Sequence, residues 1–440
     1  MTCKGNDHMK RITGLLFFAL FFGGSTLFPA TAAIVISGPG QQTIPLAIAP
    51  SLPLAGTAAT TIGSAFAETL HNDLLQSGIF ALADPRSFLG DAAKPGLTSA
   101  DVDFLQWRAL AVDALVKSAY SVSGTELIFD ARLYDVPSGS LLDGRRYRGR
   151  PGDERQMAHA FADQILKVLG GTEGAFAGRV LFIGKKGGEK ELYMMETDGH
   201  NLLPLTAHRS LVLNPDIAPT SREVVFTSYR AGRPELYRKE IYSGSEVKIS
   251  GRKGVNIGAR FSPDGKSLVA SLSFEGNAEL YLLGSDGSVR KRLTNNWAID
   301  IDPAWSPDGS KIVFTSDRLG TPQLFILDPG SGATRRLAYN GKYDTSPAWS
   351  PDGEEIAFAR LEEGRFELYT IHPDGSGERR LTADGGNKEH PRWSPDGRFL
   401  VYSSDSGGKG IWMMRADGTA PRRISPPGLE ATHPVWSKRW

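Results

Sequence analysis

The phrase Phe261-Ser262-Pro263-Asp264-Gly265 returns as Trp305-Ser306-Pro307-Asp308-Gly309, Trp349-Ser350-Pro351-Asp352-Gly353 and Trp393-Ser394-Pro395-Asp396-Gly397, each copy 44 positions after the one before. Degenerate copies extend the series at both ends, as Ile217-Ala218-Pro219-Thr220-Ser221 one period earlier and as Trp436-Ser437, 43 positions after Trp393, making six in all. Between copies the same features recur in the same order. An alternating apolar stretch comes first (Ile312-Val313-Phe314, Ile356-Ala357-Phe358, Leu400-Val401-Tyr402), then an apolar-aromatic pair (Leu280-Tyr281, Leu324-Phe325, Leu368-Tyr369, Ile411-Trp412). An Asp-Gly turn and a basic stretch close the unit, as in Asp374-Gly375 with Arg380-Leu381-Thr382. Four strand signals in each period of 44 are the content of one β-propeller blade.

The phase of the repeat predicts how the ring closes. Arg179-Val180-Leu181-Phe182 aligns with Lys311-Ile312-Val313-Phe314, three periods later, so the first blade has its second, third and fourth strands. Where its own first strand should end stands Glu173, with no aromatic-Ser-Pro phrase. The missing strand is Val435-Trp436-Ser437 at the far end of the chain. Pairing it with residues 179–182 completes a sixth blade and hides sheet edges whose unpaired N–H and C=O groups would invite aggregation.

Four repeated carboxylates, Asp264, Asp308, Asp352 and Asp396, invite a metal or catalytic reading. Ser-Pro-Asp-Gly is better read as a turn: Pro presets φ, Asp caps nearby backbone, and Gly accepts a positive φ. One copy per blade also spreads these acids around the ring, whereas acid/base pairs must sit within several ångströms of each other. Trp305, Trp349, Trp393 and Trp436 are read as packing between blades.

Residues 34–171 lack the period and predict a separate domain. Ile62, Phe66, Leu70 and Leu74 fall on one face of a helix over 61–75, with Gly78 beyond it. A second helix is predicted over 101–110, a hairpin over 114–136 around Ser123-Gly124-Thr125, and a last helix from Glu154 to Leu169 stopped by Gly170-Gly171. Mixed elements of this kind predict a two-layer α/β domain. The predicted organisation is therefore a signal peptide over 1–33, the α/β domain over 34–171, and over 172–440 an all-β six-bladed propeller closed by the C-terminal strand.

The opening residues carry Lys10 and Arg11, an apolar run from Leu15 to Phe22, and Ala30-Thr31-Ala32. The run is shorter than the roughly 18 residues a spanning helix needs, and the small residues suit cleavage after Ala32 or Ala33. Export is expected, with Met1 or Met9 as the start. The one cysteine, Cys3, precedes that site, so the mature chain has no disulfide, no thiolate metal site and no lipid anchor on cysteine. Lys and Arg number 50 against 49 Asp and Glu, a net charge of +1 that gives nucleic acid no field to follow. No Gly-x-Ser-x-Gly elbow, His-Glu-x-x-His pair or phosphate loop is present, so enzyme function has no motif to rest on and no cofactor or metal is expected.

These features together resemble the TolB family, the periplasmic propeller proteins of the Tol-Pal cell-envelope system. The resemblance covers nearly the whole mature chain: Ile34-Val35-Ile36-Ser37-Gly38, Asp73-Leu74-Leu75-Gln76-Ser77-Gly78-Ile79-Phe80, the hairpin over 114–136, Gly174-Ala175-Phe176, and six propeller repeats. The repeat alone is shared by many propellers; its combination with that N-terminal domain is specific. The resemblance implies a non-enzymatic, monomeric periplasmic adaptor supporting outer-membrane integrity and envelope constriction during division. It implies that the propeller binds the peptidoglycan-associated lipoprotein Pal, and that the N-terminal tail with its domain binds TolA. On the loops leading into the inner strands, the Pal residues are expected among Asn214, Asn256, Asp300, Asp302, Thr345, Glu389, His390, Thr432 and His433. The TolA tail is expected at Ile34, Val35, Ile36, Ser37 and Gly38, an apolar β-branched run suited to strand addition.

Two other readings compete. A propeller enzyme would need convergence among Asp300, Asp302, Asp344, Glu389, His390, Glu430 and His433. The other is a peptidoglycan- or carbohydrate-binding scaffold.

Overall fold

The computed structural model describes residues 43–54, 57 and 61–439. The leader, its cleavage site and the tail residues Ile34, Val35, Ile36, Ser37 and Gly38 lie outside the described residues.

The N-terminal region is built on one mixed sheet. Strand Ile44–Ile48 runs parallel to Phe80–Leu82 on one side and to Ala114–Ser123 on the other. The chain then turns back antiparallel through Glu126–Asp135 and again through Ser140–Gly149. That last strand departs from the sequence expectation of a two-strand hairpin. Arg145, Arg146, Arg148 and Gly144 give it little apolar alternation; it is held by its ladder to Glu126–Asp135, across which Asp130 accepts Arg146 at 2.9 Å.

Helix α1 (Ile62–Ser77) and helix α3 (Glu154–Gly170) cover one face, with α2 (Phe104–Ala109) beyond the other. α1 ends where Gly78 takes φ 73°, a left-handed cap that glycine adopts without a Cβ clash. Phe66 of α1 stacks on Phe129 of the sheet, centroids 4.3 Å apart, and Phe161, Ile165 and Leu166 of α3 fill the same core. Such an aromatic pair contributes about 0.5–1.5 kcal/mol beyond its buried area. α2 is shorter than the predicted helix, because Asp103 caps it with a hydrogen bond from the Leu105 N–H. Trp107 then drops into the opposite core and donates to buried Asp91 at 2.7 Å.

Residues 179–436 form six four-stranded sheets. Each begins with an inner strand: 212–217, 256–261, 300–305, 344–349, 388–393 and, in the closing blade, 430–436. Each inner strand touches the inner strands of both neighbouring blades, so together they line a channel. The ring closes as the repeat phase requires, with Val435 opposite Leu181 and Trp436 opposite Val180. The Ser437 N–H donates to Arg179 O at 2.8 Å, and Ser437 Oγ accepts from the Arg179 N–H at 2.9 Å.

The repeated Asp-Gly corners are turns. In the blade from residue 300, Ser306 Oγ donates to Asp308 Oδ1 at 2.5 Å and accepts from the Lys311 N–H at 2.9 Å, while Gly309 takes φ 73°. Residues 262–267, 350–355 and 394–399 repeat this arrangement. Trp393 donates from its indole N–H to Ala348 O of the preceding blade at 3.1 Å, which is inter-blade packing. The outermost strands span two to five residues, and four of the six are basic, Arg379–Arg380 and Arg422–Arg423 among them, so they offer little edge to a stray strand.

The two regions share one continuous core, in which Phe176 and Phe399 meet Phe161 and Leu166. Asp163 of α3 accepts the N–H groups of Phe176 and Ala177 at 2.7 and 2.9 Å and fixes the connecting segment. Arg415 of the propeller donates to Gln76 O of α1 at 2.8 Å. His159 of α3, fully buried, lies between Asp73 of α1 and Asp198 of the propeller.

Candidate functional site: the channel mouth

Every inner strand carries the same irregularity. The ladder register breaks between Leu213 and Asp216, Ile257 and Arg260, Ile301 and Ala304, Thr345 and Ala348, Glu389 and Arg392, and Thr432 and Val435. Inside each break sits one left-handed residue: Asn214, Gly258, Asp302, Ser346, His390 and His433, with φ between 49° and 65°. A non-glycine residue held there costs about 1 kcal/mol or more, and such strain collects where structure serves binding. In five of the six a proline follows (Pro215, Pro303, Pro347, Pro391, Pro434), removing the N–H that would continue the ladder. The result is a collar of six left-handed positions, five of them bearing side chains, around one end of the channel.

Seven of the nine residues expected to contact a partner fall at or beside this collar: Asn214, Asp302, Thr345, Glu389, His390, Thr432 and His433. Asp302 and Thr345, from neighbouring blades, approach to 3.4 Å. The His390 and His433 rings lie 3.7 Å apart at their centroids. Burial, with help from Arg392 and Arg260, holds His390 down at about 3 and lowers His433 as well, so this pair stays neutral. Glu389 is half-buried, and burial together with Asp405 raises its pKa.

Two expected residues have their side chains taken up by the fold. Asn256 is fully buried; its Oδ1 accepts from Ser250 Oγ at 2.6 Å and from the Arg252 N–H at 3.1 Å. Asp300 is fully buried against Arg318 at 2.9 Å and Asn296 at 2.9 Å. Each staples the loop that leads into its inner strand.

The same face presents an apolar patch that sequence reasoning missed. Trp297 is 73% exposed and Tyr339 67%, and Ile299 and Leu319 are exposed with them. Both loops involved lead into inner strands. The Ile299 N–H donates to Asp317 Oδ1 at 2.7 Å, which draws the loop holding Leu319 alongside, and the Asp344 N–H donates to Pro322 O at 2.9 Å. Large apolar side chains gathered on a surface mark a docking site more often than chance exposure does. The available signal was an aromatic stranded between turn residues, as in Asn295-Asn296-Trp297 and Tyr339-Asn340-Gly341.

The acids a propeller enzyme would need do not converge. Asp300 and Asp344 are held by Arg318 and Arg360, and Glu430 faces Lys185 at 3.4 Å. Among the described residues, one group could hold a metal: His159, Glu196 and Asp198 at the junction of the two regions, with ligand atoms within 4.8 Å of one another. Arg155 already pairs with Asp198, Arg179 lies 3.5 Å from Glu196, and His159 bridges Asp73 and Asp198, so charge there is balanced without an ion.

Residues 166–440 match the family described as the TolB beta propeller domain, and residues 32–142 match the TolB amino-terminal domain. Over 217 residues the chain is 53% identical to the Tol-Pal system protein TolB of Syntrophotalea carbinolica, covering 49% of this chain and 50% of that one. Over 189 residues it is 44% identical to the protein of the same name from Geobacter metallireducens, covering 43% of each. The chain thus spans about half the length of the curated relatives it matches. The crystal structure of TolB from Acinetobacter baumannii superposes with a TM-score of 0.77 at 26% identity, over 90% of this chain and 97% of that one.

Proposed function

Since this chain belongs to the TolB family, we propose that it is a non-enzymatic adaptor of the Tol-Pal system in the periplasm, docking the lipoprotein Pal at the channel mouth. The observation that carries this reading is the patch of Trp297, Ile299, Leu319 and Tyr339 beside the collar of left-handed residues. A rigid ring with strained loop entries and exposed aromatics offers a preformed docking face, and aromatic residues dominate the energetics of such faces. The inner-membrane protein TolA is the second proposed partner, taken by the tail from Ile34 to Gly38 in an extended conformation. The described residues include no helix long and apolar enough to cross a membrane, which accords with an adaptor working between membranes. By this reading the protein supports outer-membrane integrity and constriction at division.

The test is calorimetric titration of the mature chain with the soluble domain of Pal, and separately of TolA, from the same organism. Saturable binding to both supports the adaptor. Absence of heat with Pal overturns the mouth as its site.

A further inference from the structure

Arg260 and Arg392 stand three blades apart in a ring of six, so they line one cavity from opposite walls of the channel. Both are tethered alike. Arg260 Nη1 donates to Pro215 O at 3.0 Å and Asn214 O at 3.3 Å, and Arg392 Nη1 donates to Pro347 O at 3.4 Å and Pro391 O at 3.3 Å. One edge of each fork is thereby fixed to the carbonyls of the collar. Arg260 is 7% exposed, and its Nε is buried with no hydrogen-bond partner. Both arginines line a cavity of about 530 Å³ that continues down the channel to the Trp-Ser-Pro corners.

Charge on the channel wall does not balance. Among the described residues neither guanidinium has a carboxylate oxygen at ion-pair distance. Asp216 acts on both guanidiniums and Asp302 on Arg392, and Asp216 Oδ2 already accepts the Phe261 N–H at 2.9 Å. Lys190 adds a third positive charge near the neutral His390–His433 pair. Burial and the neighbouring Arg260 pull the Arg392 guanidinium down to about 9 despite both acids. Cations withdrawn from water without paired anions are costly, and an added anion offsets that cost.

We propose that the channel holds a small tetrahedral oxyanion of the phosphate or sulfate class between Arg260 and Arg392. With Nη1 tied to backbone, the Nη2 group of each guanidinium is left to donate charge-assisted hydrogen bonds to such oxygens, and two of them from opposite walls can close on one ion. The collar above and the tryptophan corners below limit its size. Nothing in this assignment depends on Pal or TolA, so it can fail while the adaptor reading stands.

The experiment is thermal unfolding and calorimetric titration of the mature chain with sodium phosphate and with sodium sulfate, against chloride at matched ionic strength and neutral pH. The expected result is a saturable rise in midpoint and one site per chain. Arg260→Gln and Arg392→Gln should each weaken binding at least tenfold, and the double variant should show only the non-saturating salt effect. Equal responses in wild type and double variant would overturn the site. Should the double variant fail to fold, phosphorus NMR on wild type decides: phosphate broadened by stoichiometric protein and sharpened again by sulfate supports the site, and unbroadened phosphate overturns it.

Discussion

His159 Nδ1 lies 2.6 Å from Asp73 Oδ2, while its other ring nitrogen lies 3.3 Å from Asp198 Oδ2, so one imidazole ties both long helices of the N-terminal region to the propeller. Arg155 reaches the same Asp198. The junction between the two regions is therefore ionic at its centre and apolar around it.

That geometry sets a pH dependence. Burial alone would lower the His159 pKa, but Asp73 and Asp198 outweigh it and push the ring up to about 10. A group whose folded pKa exceeds its unfolded value, near 6.5, stabilises fully below 6.5 and loses that contribution as pH rises through its folded pKa. Stability should thus decline between pH 6.5 and 10, and His159→Gln should flatten the decline. At neutral pH that variant should cost about 3–5 kcal/mol, because it leaves buried carboxylates uncompensated. Urea unfolding at a series of pH values measures both effects.

Removing residues from 434 onward should take away the half of the closing inner strand that pairs with Val180 and Leu181 and expose that end of strand 179–186. We expect a melting temperature at least several degrees lower, with greater protease sensitivity in residues 179–204. Calorimetry on the truncated chain checks this, and an unchanged midpoint would mean that the ring does not rely on its last strand.

At the mouth, paired substitution Trp297→Ala with Tyr339→Ala should remove most Pal affinity while leaving the melting temperature within a degree or so, because both side chains are exposed. Asn256→Ala should do the opposite first. It breaks hydrogen bonds to Ser250 and Arg252 inside a loop and should cost about 1–3 kcal/mol before any effect on binding is read. Titration calorimetry beside thermal melts separates the two.

Deleting residues 33–42 downstream of an intact leader should abolish TolA binding and spare Pal binding. Unchanged TolA affinity in a pulldown or titration would place that contact elsewhere.

The propeller was legible because its period is carried by corner chemistry that only a few residues can perform. Ser306, Asp308 and Gly309 each fill a bonding or φ role that the structure displays, and the phase of their copies locates the closing strand. The collar was harder to see. Its left-handed residues are Asn, Gly, Asp, Ser and two His, with nothing chemical in common, and only the following proline hinted at a broken ladder. Strand Ser140–Gly149 escaped because its stability comes from partners across the sheet and not from its own alternation. Which mouth residues stay free is likewise unreadable: Asn256 and Asp302 are both polar residues at the entry to an inner strand, yet the first is consumed by its own loop while the second is the left-handed residue of the collar.

Ring closure by the chain's end also fixes an order of events. Arg179 and Ser437, bonded to each other, stand 258 positions apart, and no blade between them can substitute for that pairing. During synthesis the N-terminal region and five complete blades emerge while the remaining blade still waits for its innermost strand. Contacts of such long sequence separation form slowly. Until the strand ending at Trp436 is made, the edge of strand 179–186 has no inner partner and the ring cannot close.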